Sequence, residues 1–118
     1  MAKNETIFFT KDGHIAQAVG FTTIVDVFTA GADGAKIFSI YTPIAVTGSL
    51  SLYIKESGGT DVDIFNIENP ANTVNLLANQ DILPKDAKTN PYINIPAGAK
   101  LRASANAAMT VRVYYEDY

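Results

Sequence analysis

The chain has 118 residues, a formal net charge of −3, no cysteine and a single histidine, His14. That excludes disulfide frameworks, thiol nucleophiles, thiolate metal sites and iron–sulfur clusters, and it excludes a multi-histidine zinc site within one chain. The nine Lys and Arg residues are scattered and lay no phosphate-binding track, and no apolar run is long enough to span a bilayer, so neither nucleic acid nor membrane is an expected partner.

Twelve Ile, eight Val and eleven Thr stand against six Leu. Branching at Cβ restricts χ1 in a helix and suits a pleated sheet, so this balance predicts strands. Folding a chain of this mass buries about two-thirds of its surface, enough for one core without a staple.

Residues 1–19 read as an N-terminal arm, ahead of a single domain over residues 20–118. Within the arm, residues 11–13 (Lys-Asp-Gly) suit a tight turn. The arm carries Ile7, Phe8 and Phe9, which need something to bury them. Their own domain or the exposed sheet edge of a neighbour would serve. The N-terminus lacks the apolar core of a secretory signal, so the chain is expected to be made and used as it stands.

The first strand of the domain is predicted over residues 21–29 and the next over 36–42. Both are apolar on two faces, as in strands that lie inside a sandwich or under a neighbouring subunit. Residues 30–34 (Ala-Gly-Ala-Asp-Gly) form the turn between them, with Gly31 and Gly34 free to take positive φ. A third strand spans 48–56, with Leu50, Leu52 and Ile54 on its dry side. A fourth spans 60–68, with Val62 and Ile64 opposed to Asp61 and Asp63. Residues 57–60 (Ser-Gly-Gly-Thr) make their hairpin loop.

Residues 69–90 carry the weakest pattern. They read as a long connection, holding a short strand or helical turn near 73–78. Strands follow at 91–95, 99–105 and 108–116. In the last, Met109, Val111, Val113 and Tyr115 alternate with Thr110, Arg112, Tyr114 and Glu116, one dry face and one wet. Seven or eight short strands with Gly and Pro punctuation predict an all-β, antiparallel, jelly-roll-like sandwich. An immunoglobulin-like sandwich would suit seven strands, but the Cys and Trp hallmark of antibody domains is missing.

Candidate chemistry is sparse. His14, beside Asp12 and Gly13, could be a general base but reads as a solvent-facing turn residue, because no nucleophile or orienting acid accompanies it. Asp61 and Asp63 share a strand face and could hold a hard cation or share a proton, yet at period two they read as the wet side of that strand. The 30–34 turn lacks the Gly-Lys-Ser/Thr ending of a phosphate loop. Tyr114, Tyr115 and Tyr118 could make a sugar platform or a protein interface, and subunit or core packing is the plainer reading. No cofactor, metal or catalytic residue is expected.

The order of segments resembles a known group. Thr23-Ile-Val-Asp-Val-Phe-Thr-Ala30 runs into Gly31-Ala-Asp-Gly-Ala-Lys-Ile-Phe-Ser-Ile40. Leu50-Ser-Leu-Tyr-Ile54 follows, and then Pro96-Ala-Gly-Ala-Lys-Leu-Arg-Ala103 ahead of Val111-Arg-Val-Tyr-Tyr115. Over residues 20–116 this is similar to small β-sandwich structural proteins of tailed-bacteriophage virions, the capsid decoration (cement) proteins and tail-associated parts. The resemblance implies a non-enzymatic virion protein bound to the major capsid protein or another virion protein. It also implies a homo-oligomer, with a trimer to match capsid three-fold positions. A tail, baseplate or fibre component is the alternative, and a carbohydrate-binding module a more distant one. The residues expected at contacts are Ile7, Phe8, Phe9, Tyr114, Tyr115 and Tyr118.

Overall fold

A computed structural model describes residues 13–71, 74–78, 80 and 83–118. Its eight strands are β1 (Gly13–Phe21), β2 (Val25–Thr29), β3 (Ala35–Tyr41), β4 (Ser49–Lys55), β5 (Asp61–Glu68), β6 (Ile93–Ile95), β7 (Lys100–Ala105) and β8 (Met109–Asp117). They form two four-stranded sheets, ordered β1-β8-β3-β6 and β2-β7-β4-β5. Every pairing is antiparallel. The partners are nested: β4 with β5, β3 with β6, β2 with β7 and β1 with β8. A long hairpin rolled up so that its strand pairs alternate between two sheets gives this order, which is the jelly roll. The all-β sandwich predicted from composition and turn spacing is therefore the observed fold.

The core lies between the inner faces of the sheets. Ile37, Ile40, Leu50, Leu52, Leu101, Val111 and Val113 are wholly buried there. The alternation in β8 holds as predicted: Met109, Val111 and Val113 point in, while Thr110, Arg112 and Tyr114 take the other face. Tyr115 continues the inner row and stacks on Phe28, with centroids 4.1 Å apart.

Three local departures have physical causes. Residues 13–19, expected as arm, are most of β1 and pair with β8. The apolar signal misleads there because the bulky residues face outward. Ile15 and Val19 are exposed, while the inward positions hold Ala16 and Ala18, opposite Val113 and Val111. In β5 the dry side changes parity. Leu52 pairs with Phe65 and Tyr53 with Asp63, so Ile64 is an extra, bulged residue. Beyond it Phe65 and Ile67 turn inward, and Val62, expected on the dry side, is exposed. Thr22 and Thr23 stay outside β2, which begins only at Val25.

The described part of residues 69–90 consists of turns and bends with one isolated bridge, Lys85 to Pro91, and no strand. It has a definite task. β6 covers only the Ala35–Ile37 half of the β3 edge. Beside the rest, Asn75 substitutes for a strand: its Oδ1 accepts from the amides of Ile40 (3.3 Å) and Leu77 (3.1 Å), and its Nδ2 donates to the Phe38 carbonyl (3.4 Å). The Leu76 amide donates to the Ile40 carbonyl at 2.7 Å. Buried Leu76, Leu77 and Leu83 anchor this cover on the core. Groups that would otherwise be bare sheet edge are thereby satisfied.

Candidate functional site

The two outer faces of the sandwich differ in chemistry. On the β2-β7-β4-β5 sheet, register places Asp26 opposite Arg102, Arg102 beside Tyr53, and Tyr53 opposite Asp63. Arg102 ties two strands together: its Nε donates to Asp26 at 2.8 Å and its Nη1 to Asp61 at 2.9 Å. Lys100 adds a second cation to Asp26 at 3.0 Å. The Asp26 carboxyl is held below the usual range, first by the Lys100 hydrogen bond and then, against a small desolvation cost, by Arg102. Tyr53 and Ser104 share a hydroxyl contact of 3.1 Å. This face is polar and largely self-satisfied.

The pair Asp61/Asp63 does lie on one strand face, as expected. Asp61 is engaged by Arg102, and Asp63 accepts from the Asn66 amide at 3.5 Å. Among the described residues no group of three or more His, Asp or Glu side chains is placed to hold a metal.

The outer face of the β1-β8-β3-β6 sheet carries Ile15, Val19, Tyr41 and Tyr114 among the polar and charged Gln17, Lys36, Arg112 and Glu116. Register sets Ile15 beside Tyr114, Tyr114 beside Ser39, and Arg112 between Gln17 and Tyr41. Tyr41 and Tyr114 meet edge to face at 5.6 Å, with their hydroxyls 3.4 Å apart. Arg112 Nε donates to Gln17 Oε1 at 3.0 Å. The Tyr41 hydroxyl ionises more readily than an ordinary phenol, chiefly through its bond with Tyr114 and then through Arg112. Tyr114 moves the opposite way, first because of that same bond and then because of burial. An open hollow of about 320 Å³ lies here, lined by Ser39, Tyr41, Asn75 and Tyr114. Toward the sheet's far edge, Lys36 Nζ sits 4.9 Å from the centre of the Tyr92 ring.

The three C-terminal tyrosines therefore separate. Tyr114 is on the outer face. Tyr115 points inward, where burial first, and Asp117 second, raise its hydroxyl pKa. It is partly buried and stacks on Phe28. Tyr118 is about half exposed, donates its hydroxyl to Asn94, and hydrogen-bonds through its amide to the Gly34 carbonyl at 3.1 Å. Ile7, Phe8 and Phe9, and residues 11 and 12 of the expected turn, lie outside the described residues, while Gly13 opens β1. His14 sits in β1 rather than in a turn, exposed, with Nε2 3.4 Å from Asp117 and its ring tilted over Tyr115 at 5.2 Å.

Sequence reasoning missed Tyr41 and Ser39, because nothing in a linear pattern shows that β3 lies beside β8. The signal available was the two-faced apolar character of residues 36–42.

The fold and faces define a jelly-roll domain with one polar and one aromatic exterior. The sequence matches no protein-family model. Comparison with curated proteins gave no match, and comparison with solved structures gave none.

Proposed function

We infer that this chain is a non-enzymatic structural protein of a tailed-phage virion: a capsid decoration protein that binds the outside of the major capsid protein shell and stabilises it. The observation that carries this reading is the contrast between the outer faces. One is closed by its own ion pairs, while the other presents the exposed Ile15, Val19 and Tyr118, with half-buried Tyr114 on the same face. Exposed aromatic and aliphatic groups on a rigid sheet are what an adhesive surface needs. The resemblance over residues 20–116 supplies the kind of partner. A jelly roll alone does not, since that fold serves many functions.

The mechanism is mechanical. Each copy contributes a modest contact, and many copies on a lattice add avidity that none has alone. Imaging virions of the phage that encodes this chain, with the protein labelled, tests the reading. Density on the capsid surface is expected, and label confined to the tail or baseplate would replace the reading with the alternative location. In a binding assay on expanded capsids, Tyr114→Ala and removal of residues 1–12 are each expected to weaken attachment while the domain stays folded. Unchanged binding by both variants would remove this face and the arm from the contact.

A further inference from the structure

The sandwich has four sheet edges, and they are not equally protected. β6 is three residues long and flanked by Pro91 and Pro96. β2 is five residues long, bulged at Val27 and charged at Asp26. β5 is long but carries Asp61, Asp63 and Glu68 as well as its bulge. Short length, proline, bulges and charge are the devices that keep edges from pairing with other chains.

β1 has almost none of them. It is nine residues long, and among the described residues it pairs only with β8. Its sequence, Gly13-His-Ile-Ala-Gln-Ala-Val-Gly-Phe21, contains no Lys, Arg, Asp, Glu or Pro. Its one irregularity comes at the far end. Gly20 takes φ +62 inside the register shift between Ala18 and Phe21, the position a bulge reserves for glycine. Gly13 to Ala18 stay in unbroken register with β8, and Val19 is the first residue of the shift. Ile15 is 56% and Val19 68% exposed, values seen at few large apolar side chains of this molecule.

The spacing of these residues is self-complementary. Antiparallel pairing of β1 with itself about Gln17 sets Ile15 against Val19 of the partner subunit, Ala16 against Ala18 of the partner subunit, and Gln17 against Gln17 of the partner subunit. Both exposed aliphatic residues then find an aliphatic cross-strand neighbour, and each does so twice by symmetry. No like charges oppose one another. The geometry points to β1 as a two-fold interface with a second copy of this chain, joining two four-stranded sheets into one of eight. The two-fold axis stands perpendicular to that sheet, so both aromatic outer faces lie on one side. This goes beyond the proposed virion role and does not depend on it.

The absence of cysteine gives a clean test. In Gln17→Cys the only thiols are those on the symmetry axis, and paired antiparallel residues lie 4.5–5.5 Å apart at Cα, within disulfide reach. Mild oxidation of the full chain is expected to give a covalent dimer in high yield, and Asp63→Cys on the β5 edge is the control. Sedimentation equilibrium is expected to show an even-numbered assembly. Ile15→Lys and Val19→Lys should each weaken its dissociation constant by about tenfold or more, as the loss of a buried aliphatic contact implies. A monomer at all concentrations would overturn the inference. So would a trimer that does not cross-link at Gln17→Cys, or cross-linking no better than at Asp63→Cys. Should the lysine variants fail to fold, the cysteine experiment decides alone.

Discussion

Tyr114 and Tyr115 are adjacent in sequence, identical in chemistry and opposite in consequence. The pleat sends Tyr115 into the sandwich, where it stacks on Phe28, and Tyr114 out to meet Tyr41. The same division separates the two sheets' exteriors. The β2-β7-β4-β5 face spends its charges on itself through Asp26, Arg102, Lys100 and Asp61. The β1-β8-β3-β6 face keeps tyrosines and aliphatic groups outside. A ring stacked against the core supports the fold, and a ring on the outer face is available for contact.

The sharpest way to break this comparison is to truncate both rings. Tyr115→Ala is expected to cost about 3 kcal/mol in urea unfolding, the penalty of an emptied aromatic site. Tyr114→Ala should cost about 1 kcal/mol or less, as most changes on a surface do. Equal losses would show that the two positions do not differ in kind. The second test concerns the cover over β3. Asn75→Ala leaves the Ile40 and Leu77 amides without their acceptor, and about 2 kcal/mol of lost stability is expected. Hydrogen exchange should rise at Ile40 first.

The polar face should respond to salt and acid instead. Arg102→Met unties Asp26 from Asp61. It should lower the urea midpoint at low ionic strength and do so less in 1 M salt, because exposed pairs are screened. The smallest effect belongs to Asp26. Its folded pKa lies below the unfolded value of 3.8, so its contribution is present above that value and fades as pH falls through the folded one. Wild type should lose about 0.5 kcal/mol from this group on acidification from pH 5 to pH 2, as a surface pair would. Asp26→Asn should lack that component.

Much of the fold was legible because strand chemistry is local. Cβ branching, period two and Gly–Pro turns located seven of the eight strands, and the hairpin at residues 57–60 is where its glycines require it. β1 was not legible, since over residues 14–19 its inward apolar side chains are only Ala16 and Ala18, while Ile15 and Val19 face solvent. Nor was the switch of parity in β5, because a bulge leaves no periodic trace. The outer-face cluster was half visible: Tyr114 stood out, whereas Tyr41, Ser39 and Asn75 come together only through tertiary pairing. Asn75 in particular looks like an ordinary loop residue until the bare half of β3 is seen beside it.

The nested order of strands also dictates how the molecule must be built. Of the paired strands only β4 and β5 follow one another in sequence, so their hairpin is the cheapest contact to form, and each later pair closes a longer stretch of chain. The outermost pair brings together residues such as Gly20 and Thr110, ninety positions apart. Loop closure alone therefore predicts growth from the hairpin outward with β1 docking last, the same strand whose outer edge is unpaired among the described residues. A chain caught just before completion would expose β8 as well, and at high concentration it could borrow β1 from a neighbour, so rapid refolding from urea should give more exchanged dimers than slow dilution.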